Sequence, residues 1–407
     1  MAEILFLSHR IPFPPDRGDK IRSHHVLKRL ARLAPVHVAT FADDEHDADA
    51  VAKLEALAAS SHVAPRVLPL PLAGLKAVVQ GKPVSLTAFH DAALAAYVVR
   101  VLAERPIGAI YVFSGQMGQY VPTSWAGRLV VDFVDVDSAK FEAYAREGNP
   151  AMRWVHGREG RLLAAEEARL AARADASLLV SAEEAALFSA RNLDAAQVEA
   201  LENGIDTQAF DPFRTVAEPR LAAFVGPKLI FTGQMDYPPN VVAAQRAALQ
   251  LMPRIRAALP DATLHIVGRK PTAAVQALHG QHGCHVWGRV ENMPAFLRAA
   301  DCALVPLEIA RGVQNKVLEA MAMALPVVAS TGAATGIGAT PGRELVVGET
   351  DDALVRGAIS LLRDRQRAQT MGLAARRFLQ DRRSWEATLA PVAGLVGFPE
   401  PGISDAA

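Results

Sequence analysis

The feature that most constrains the fold is an alternation of short apolar runs with longer stretches of helical periodicity. The runs are almost continuously apolar, whereas a strand with one solvent-facing side alternates apolar and polar residues. Continuous runs are typical of strands that helices cover on both faces. The pattern therefore predicts an α/β fold built on parallel sheets. In the first half of the chain, strands are predicted at Ile4–Ser8, Val36–Phe41, Ile110–Ser114, Leu129–Val134, Leu178–Ser181 and Val198–Glu202.

The alternation is interrupted once, which predicts two domains. The segment Asp206–Pro227 contains three prolines and mixed charges, as expected for a linker. We predict Rossmann-like domains at residues 1–205 and 206–383 with a ligand-binding cleft between them, and a loose tail at 397–407. Strands of the second domain are predicted at Leu229–Gly233, Thr263–Gly268, Val286–Gly288, Ala303–Pro306 and Val327–Ser330.

Composition excludes several functional classes. Of 407 residues, 51% are hydrophobic, which is enough to fill two cores. The 43 basic residues balance the 43 acidic ones, which argues against a general nucleic-acid binder. Two cysteines exclude a disulfide framework and favour a reducing, cytoplasmic location. Ile4–Leu7 is too short for a signal peptide, and no apolar run approaches the roughly 20 residues of a membrane span.

The most informative stretch is Arg311–Ser330, in which a glycine loop leads into a helix and then a buried strand. The N-terminus of a helix binds anions such as phosphate, and Lys316 would add a positive charge in its first turn. Glu319 lies three residues later, on the same side as Lys316, where its carboxylate can accept both hydroxyls of a ribose. The alternative interpretation is an ordinary helix with a surface ion pair.

The run VLEAMAMALPVVAS resembles the C-terminal-domain signature of the GT-B glycosyltransferases, in particular the retaining family that contains sucrose and glycogen synthases and mannosyltransferases. Three further motifs follow the order of that family: Glu202–Asp206, Ile230–Gly233, and Val286–Val290 with Met293–Asp301. The runs SHRIPFPPDRGDKIRSHH, VVDFVDVDSAKF and FTGQMDYPPN are similar to sugar transferases of the PEP-CTERM/exosortase exopolysaccharide system.

The resemblance implies that the chain transfers a sugar from a nucleotide-sugar donor to an acceptor hydroxyl of a glycan or lipid-linked saccharide. It also implies retention of anomeric configuration, no cofactor, no metal, and a helix near 384–395 that packs back on the first domain. The catalytic centre would contain Lys316, Glu319 and Arg311. The residues that the resemblance places at the donor are Gly18, Asp19, Gly233, Gln234, Arg269, Arg289, Val290, Gly312, Val313, Gln314 and Asn315.

The chain departs from the family pattern at the charged positions. Arg311 stands where the family has the first of two glutamates. Gln234 and Asn240 stand where the family places an arginine and a lysine for the diphosphate. We therefore expect Lys316, with the N–H groups of the helix N-terminus, to carry most of the phosphate charge. Arg269 is either a second phosphate ligand or a solvated loop residue.

Asp135 and Asp137 form an Asp-x-Asp motif that by itself suggests a metal site. That motif belongs to the other glycosyltransferase fold, which lacks a second α/β unit, so we assign both aspartates to the acceptor side. His24 is a further acceptor-side candidate, or a partly buried polar residue of the first helix.

The first helix alternates Lys20, Arg22 and Lys28 with apolar residues. It is either an ordinary surface helix or a peripheral contact with the anionic inner face of a membrane. Two rival functions remain for the whole chain. One is a nucleotide-sugar 2-epimerase of the same fold, and the other is a sugar-nucleotide sensor without activity.

Overall fold

The computed structural model describes residues 2–15, 18–42, 48–66, 70–146, 149–308 and 313–399. These residues form two compact units, the first from 2–203 and 388–399 and the second from 204–387. The proposed tail at 397–407 falls mostly outside the described residues, from 400 onward.

The first unit is built on a parallel sheet that, in its described part, has seven strands in the order β3-β2-β1-β4-β5-β6-β7. The strands are β1 Glu3–Ser8, β2 Val36–Ala42, β3 Ser60–Pro65, β4 Ile107–Phe113, β5 Arg128–Val134, β6 Ala176–Leu179 and β7 Val198–Ala200. The helices are α1 Gly18–Leu33, α2 Ala48–Glu55, α3 Leu70–Gln80, α4 Val84–Ala88, α5 Ala92–Glu104, α6 Asp137–Tyr144, α7 Pro150–Ala171 and α8 Ala182–Arg191.

The second unit repeats this architecture with six parallel strands among its described residues, in the order β10-β9-β8-β11-β12-β13. The strands are β8 Lys228–Thr232, β9 Thr263–Val267, β10 Cys284–Gly288, β11 Cys302–Val305, β12 Val327–Ser330 and β13 Val346–Gly348. The helices are α9 Pro219–Ala222, α10 Pro238–Arg246, α11 Met252–Ala258, α12 Ala273–Gln276, α13 Met293–Ala299, α14 Asn315–Ala322, α15 Thr331–Ala334, α16 Asp351–Arg363 and α17 Arg365–Arg382.

Two strands were not predicted, and both lie at sheet edges. Ser60–Pro65 is only half-buried for most of its length, and Val346–Gly348 has three residues. The predicted linker also contains a helix, because Pro219 occupies the first turn of α9, where a missing N–H costs nothing.

The C-terminal segment contains α18 Trp385–Thr388 and α19 Val392–Val396. From Thr388 onward it belongs to the first unit. The carbonyl of Leu395 accepts a hydrogen bond from Nε of Arg128 at 2.8 Å, and α19 packs against α1 and β5. Ser384 remains in the second unit, where it pairs with Ile205.

A buried ion pair lies at the centre of the first unit. The guanidinium of Arg22 on α1 donates two hydrogen bonds to the carboxylate of Asp132 on β5, at 2.9 and 3.0 Å. It also donates to the carbonyl of Leu201 at 2.6 Å and to Oδ1 of Asn203 at 3.1 Å. Arg22 is thus directed into the protein, whereas Lys28 of the same helix is exposed.

Candidate functional site

Two glycines shape the backbone where β8 and β9 end. Gly233 has a positive φ of 153°, and a Cβ on it would lie 2.8 Å from Nδ2 of Asn240. A Cβ on Gly268 would lie 1.6 Å from the carbonyl oxygen of Gly233. Because no real Cβ tolerates these distances, both positions require glycine. The carboxyl ends of parallel strands are where such folds bind ligands.

Lys316 projects to this edge from the first turn of α14. Its ammonium donates a hydrogen bond to Oδ1 of Asn240 at 2.6 Å and lies 5.3 Å from the centre of the Phe231 ring. Nδ2 of Asn240 in turn donates to the carbonyl of Gln234 at 2.9 Å. The ammonium is therefore held by a neutral amide, so its charge is not cancelled by a hydrogen-bonded carboxylate there.

Arg269 extends the same group. Its Nη2 donates to Oε1 of Gln234 at 2.8 Å, so Gln234 contacts both Arg269 and Asn240. We call Gly233, Gln234, Asn240, Arg269 and Lys316 the Lys316 cluster. Its polar members come from separate segments, since Gln234 and Arg269 lie in loops and Lys316 lies on α14. Asn240, on α10, was expected only as a missing lysine. It acts instead as the acceptor that positions the Lys316 ammonium.

Burial shifts the ionisation of Lys316 and Glu319 in opposite directions. Burial lowers the pKa of Lys316 to about 8, although the negative charge of Glu319 opposes the change. Burial raises the pKa of Glu319 to about 7, although the positive charge of Lys316 opposes it. Both groups therefore titrate near neutral pH, which is common at functional sites.

The start of α14 adds backbone donors to the cluster. Gln314 is the N-cap residue, and its carbonyl accepts the N–H of Val317 at 2.9 Å. The N–H groups that precede Val317 in this turn come before any carbonyl of the helix that could pair with them, so this end of α14 favours an anion. Val313 packs against the core beside Gly336. Arg311, predicted in the catalytic centre, and Gly312, predicted at the donor, lie outside the described residues.

The region predicted to contact the nucleotide base contains a residue pair that sequence reasoning missed. Nε1 of Trp287 donates to Nδ1 of His265 at 3.1 Å. Burial lowers the pKa of His265 to about 3, so the imidazole is neutral and can accept this bond. Arg220 lies 5.2 Å from the centre of the Trp287 ring. The two residues predicted to bind the donor in this region differ in burial, since Arg289 is exposed and Val290 packs on the core.

In the first unit, Gly18 begins α1 and Asp19 lies in its first turn. Burial raises the pKa of Asp19, but hydrogen bonds from His9 and Arg10 outweigh burial and hold it well below its usual range. Oδ2 of Asp19 lies 2.6 Å from Nη1 of Arg10 and 3.4 Å from Nε2 of His9. Asp19 is thus an anion fixed by two residues that the motif analysis did not single out.

The acceptor-side candidates form two separate groups of contacts. Asp135 and Asp137 both accept from the ammonium of Lys140, each at 3.1 Å. His24 lies elsewhere on α1, where Nδ1 is 3.2 Å from the carbonyl of Pro12 and the ring meets Phe13 edge-on. Among the residues that the structure describes, no group of three or more His, Cys, Asp or Glu side chains could hold a metal ion.

No helix in the described ranges combines the length and the hydropathy that crossing a membrane requires.

Comparison with known proteins relates part of the chain to glycosyltransferases. Residues 226–364 match the family described as Glycosyl transferases group 1, which places the Lys316 cluster inside the matched region. A GDP-mannose-dependent monoacylated alpha-(1-6)-phosphatidylinositol monomannoside mannosyltransferase of Corynebacterium glutamicum is 32% identical over 208 residues. That alignment covers 46% of this chain, and it spans about half, 53%, of the curated relative.

Solved structures resemble the chain over nearly its whole length. Anabaena Alr3699/HepE in complex with UDP is 15% identical with a TM-score of 0.62, covering 97% of this chain and 99% of that one. Sucrose-phosphate synthase from Thermosynechococcus elongatus is 17% identical with a TM-score of 0.62, covering 97% and 98%. The predicted α/β GT-B fold is confirmed, and its second unit matches the group 1 glycosyl transferases.

Proposed function

We propose that the chain is a group 1 glycosyltransferase that moves a sugar from a nucleotide-sugar donor to an acceptor hydroxyl. The observation that carries the proposal is the Lys316 ammonium, held by Asn240 at the carboxyl end of β8 beside the N-terminus of α14. An ammonium next to helix N–H groups is suited to a diphosphate. The chain has no net charge, so the attraction for an anionic donor must come from such local groups.

The proposed reaction uses this placement. The acceptor oxygen forms a bond to the anomeric carbon while the bond from that carbon to the diphosphate oxygen breaks. The hydroxyl proton leaves with the released nucleoside diphosphate. Negative charge grows on the diphosphate as the bond breaks, and the Lys316 ammonium with the first N–H groups of α14 would stabilise it. Glu319, one turn further along, would anchor the ribose.

The donor and acceptor are part of the proposal. The mannosyltransferase relative is named as GDP-mannose-dependent, and further structures of Alr3699/HepE hold UDP with glucose or UDP-glucose. GDP-mannose and UDP-glucose are therefore the first donors to test. We propose a saccharide or lipid-linked saccharide acceptor, as in exopolysaccharide assembly, with Asp135, Asp137 and His24 on its side. Retention and independence of metal complete the proposal.

The test has a binding arm and a turnover arm. A panel of nucleotide sugars is screened for a rise in melting temperature, since a true donor stabilises the folded state by mass action. Nucleotide release is then measured with and without saccharide acceptors, in buffer with EDTA. Release that requires an acceptor supports a transferase, while conversion of the sugar without an acceptor identifies an epimerase. Binding without either reaction identifies a sensor, and loss of turnover in EDTA would overturn metal independence.

The decisive variant is Lys316→Met, which keeps the length of the side chain and removes its charge. We expect kcat/KM to fall by about a hundredfold or more, the usual effect of removing one charge-stabilising donor. The matched control is Lys228→Met, because Lys228 lies at the opposite end of β8, where its ammonium pairs with Asp301 at 3.0 Å. If the two variants turn over equally fast per folded molecule, Lys316 does not bind the diphosphate.

A further inference from the structure

Helix α3 exposes four large apolar side chains to solvent. Among its residues from 72 onward, whose side chains the structure describes, the buried ones are the small Ala73 and Ala77. Leu75 is 67% exposed and Val79 is 81% exposed, and Leu72 and Val78 are exposed as well. A surface helix normally directs its large apolar residues inward, so a continuous outward apolar stripe marks a surface that contacts something else.

The outward residues form one stripe because of their spacing. Leu72, Leu75 and Val79 are separated by three and four residues, which aligns them along one side of a helix, and Val78 borders them. The stripe therefore runs over the length of α3, and we call it the α3 stripe.

The charged residues near the stripe in sequence are all basic. The sequence from 56 to 90 contains no aspartate or glutamate. Within it, Lys76 lies on α3 and Lys82 follows the helix, and both are exposed. An apolar stripe flanked by lysines without acidic neighbours in sequence is complementary to a negatively charged apolar surface rather than to a neutral one.

A second helix contacts the end of α3. Arg158 on α7 donates to the carbonyl of Ala77 at 2.9 Å and to that of Lys82 at 3.2 Å, which ties α7 to the end of α3. Trp154 precedes Arg158 by four residues, about one turn or 6 Å along the axis and on the same side. Trp154 is 59% exposed. Tryptophan is enriched at the boundary between lipid and water.

We propose that the α3 stripe and Trp154 seat the protein on an anionic bilayer surface. The sequence left a membrane contact of α1 open as one of two alternatives. Val26, Leu27 and Leu30 of that helix are fully buried in the first unit, and Arg22 is paired with Asp132. α3 has the opposite arrangement, because its branched side chains face outward. A membrane contact here does not depend on the nature of the reaction, so it can be tested without a donor or an acceptor.

The experiment measures cosedimentation of the full chain with vesicles. Phosphatidylcholine vesicles are compared with vesicles that contain about 30% phosphatidylglycerol, and binding is expected only to the anionic set. The variant Leu75→Glu/Val79→Glu should lower the bound fraction about tenfold, since it places two carboxylates in the stripe. Both side chains are exposed, so circular dichroism and melting temperature should match the wild type.

The control is Val99→Glu, because Val99 is 61% exposed on α5 and is not part of the stripe. It should bind like the wild type. Lys76→Gln/Lys82→Gln should weaken binding to anionic vesicles and reduce its sensitivity to salt. Subtracting the emission spectrum of Trp154→Phe from that of the wild type gives the emission of Trp154. Its maximum should shift to shorter wavelength when vesicles are added.

Several results would overturn the proposal. The wild type would fail to sediment with anionic vesicles, or it would bind neutral and anionic vesicles equally. Alternatively, Val99→Glu would lower the bound fraction as much as Leu75→Glu/Val79→Glu does. Sedimentation velocity covers the alternative occupant, a second copy of the chain. A dimer that Leu75→Glu/Val79→Glu abolishes, without vesicle binding by the wild type, would assign the stripe to self-association instead.

Discussion

Lys316 and Glu319 hold opposite charges one turn apart on α14, and each has a pKa shifted toward neutrality. Burial lowers the pKa of Lys316 to about 8 and raises that of Glu319 to about 7. The form with both groups charged is therefore most populated between these values. Below about pH 7 Glu319 gains a proton and loses its capacity as a pure acceptor. Above about pH 8 Lys316 loses the charge that attracts the diphosphate.

We therefore expect the affinity for the best nucleotide sugar to have a maximum between about pH 7 and 8. In Glu319→Gln the acidic limb should disappear. The basic limb should move to lower pH, because the carboxylate that stabilises the Lys316 ammonium is gone. Titration calorimetry from pH 6 to 9 measures both limbs. A profile of Glu319→Gln that coincides with that of the wild type would show that Glu319 does not control binding.

Spacing alone predicts only the residues of one local motif, whereas Gln234 and Arg269 were named through the family resemblance. Lys316 and Glu319 lie in a single helical run, where spacing alone places them on one side. Asn240 and Gln234 join Lys316 only through the fold, since 76 residues separate Asn240 from Lys316. His9 and Arg10 likewise meet Asp19 across a loop. Such contacts between distant segments leave no periodic pattern from which they could be predicted.

At the scale of elements, the central strands were predicted because burial on both faces gives them continuous apolar runs. The edge strand β3 has no such run, and the run at β13 is only the three residues Leu345, Val346 and Val347, so the pattern missed both. Helices α4 and α5 are separate, since Asp91 accepts the N–H of Leu94 and starts α5 anew. The burial of Arg22 was also missed. A basic residue on a helix with apolar neighbours is predicted to face solvent, and nothing in the local sequence indicates that its partner is Asp132.

The pairing of Arg22 with Asp132 joins α1 to β5, and it should dominate the response of the first unit to mutation. Asp132→Asn leaves a fully buried guanidinium without its counter-charge, which we expect to lower the free energy of unfolding by about 3–5 kcal/mol. Arg22→Leu/Asp132→Leu should cost less than Asp132→Asn, since neither charge remains unpaired. Urea denaturation followed by circular dichroism measures both.

Tyr111→Phe provides the control for this pair. The Tyr111 hydroxyl donates to Oδ2 of Asp132 at 3.0 Å, so its removal deletes one hydrogen bond and leaves the ion pair in place. The expected cost is about 1 kcal/mol. A double variant that is less stable than Asp132→Asn would mean that the packing of the long side chains, rather than charge compensation, stabilises this contact.

At the scale of the whole molecule, the described residues contain two large clusters of buried apolar side chains that share no member. One lies within residues 5–198 and the other within 205–379. Each unit thus has a core of its own, as expected for domains that fold as separate units. The Lys316 cluster belongs wholly to the second unit. A ligand that binds this cluster acts first on the stability of that unit.

We therefore expect two unfolding transitions in calorimetry, only one of which responds to the donor. At a nucleotide-sugar concentration of about 100 times Kd, the second unit should gain about 2.7 kcal/mol. Lys316→Met should abolish that gain and leave the other transition in place. Asp132→Asn should lower the other transition and leave the donor-dependent gain intact. These two variants assign the transitions independently of each other. A single transition that both variants and the donor move together would mean that the two cores unfold as one cooperative unit.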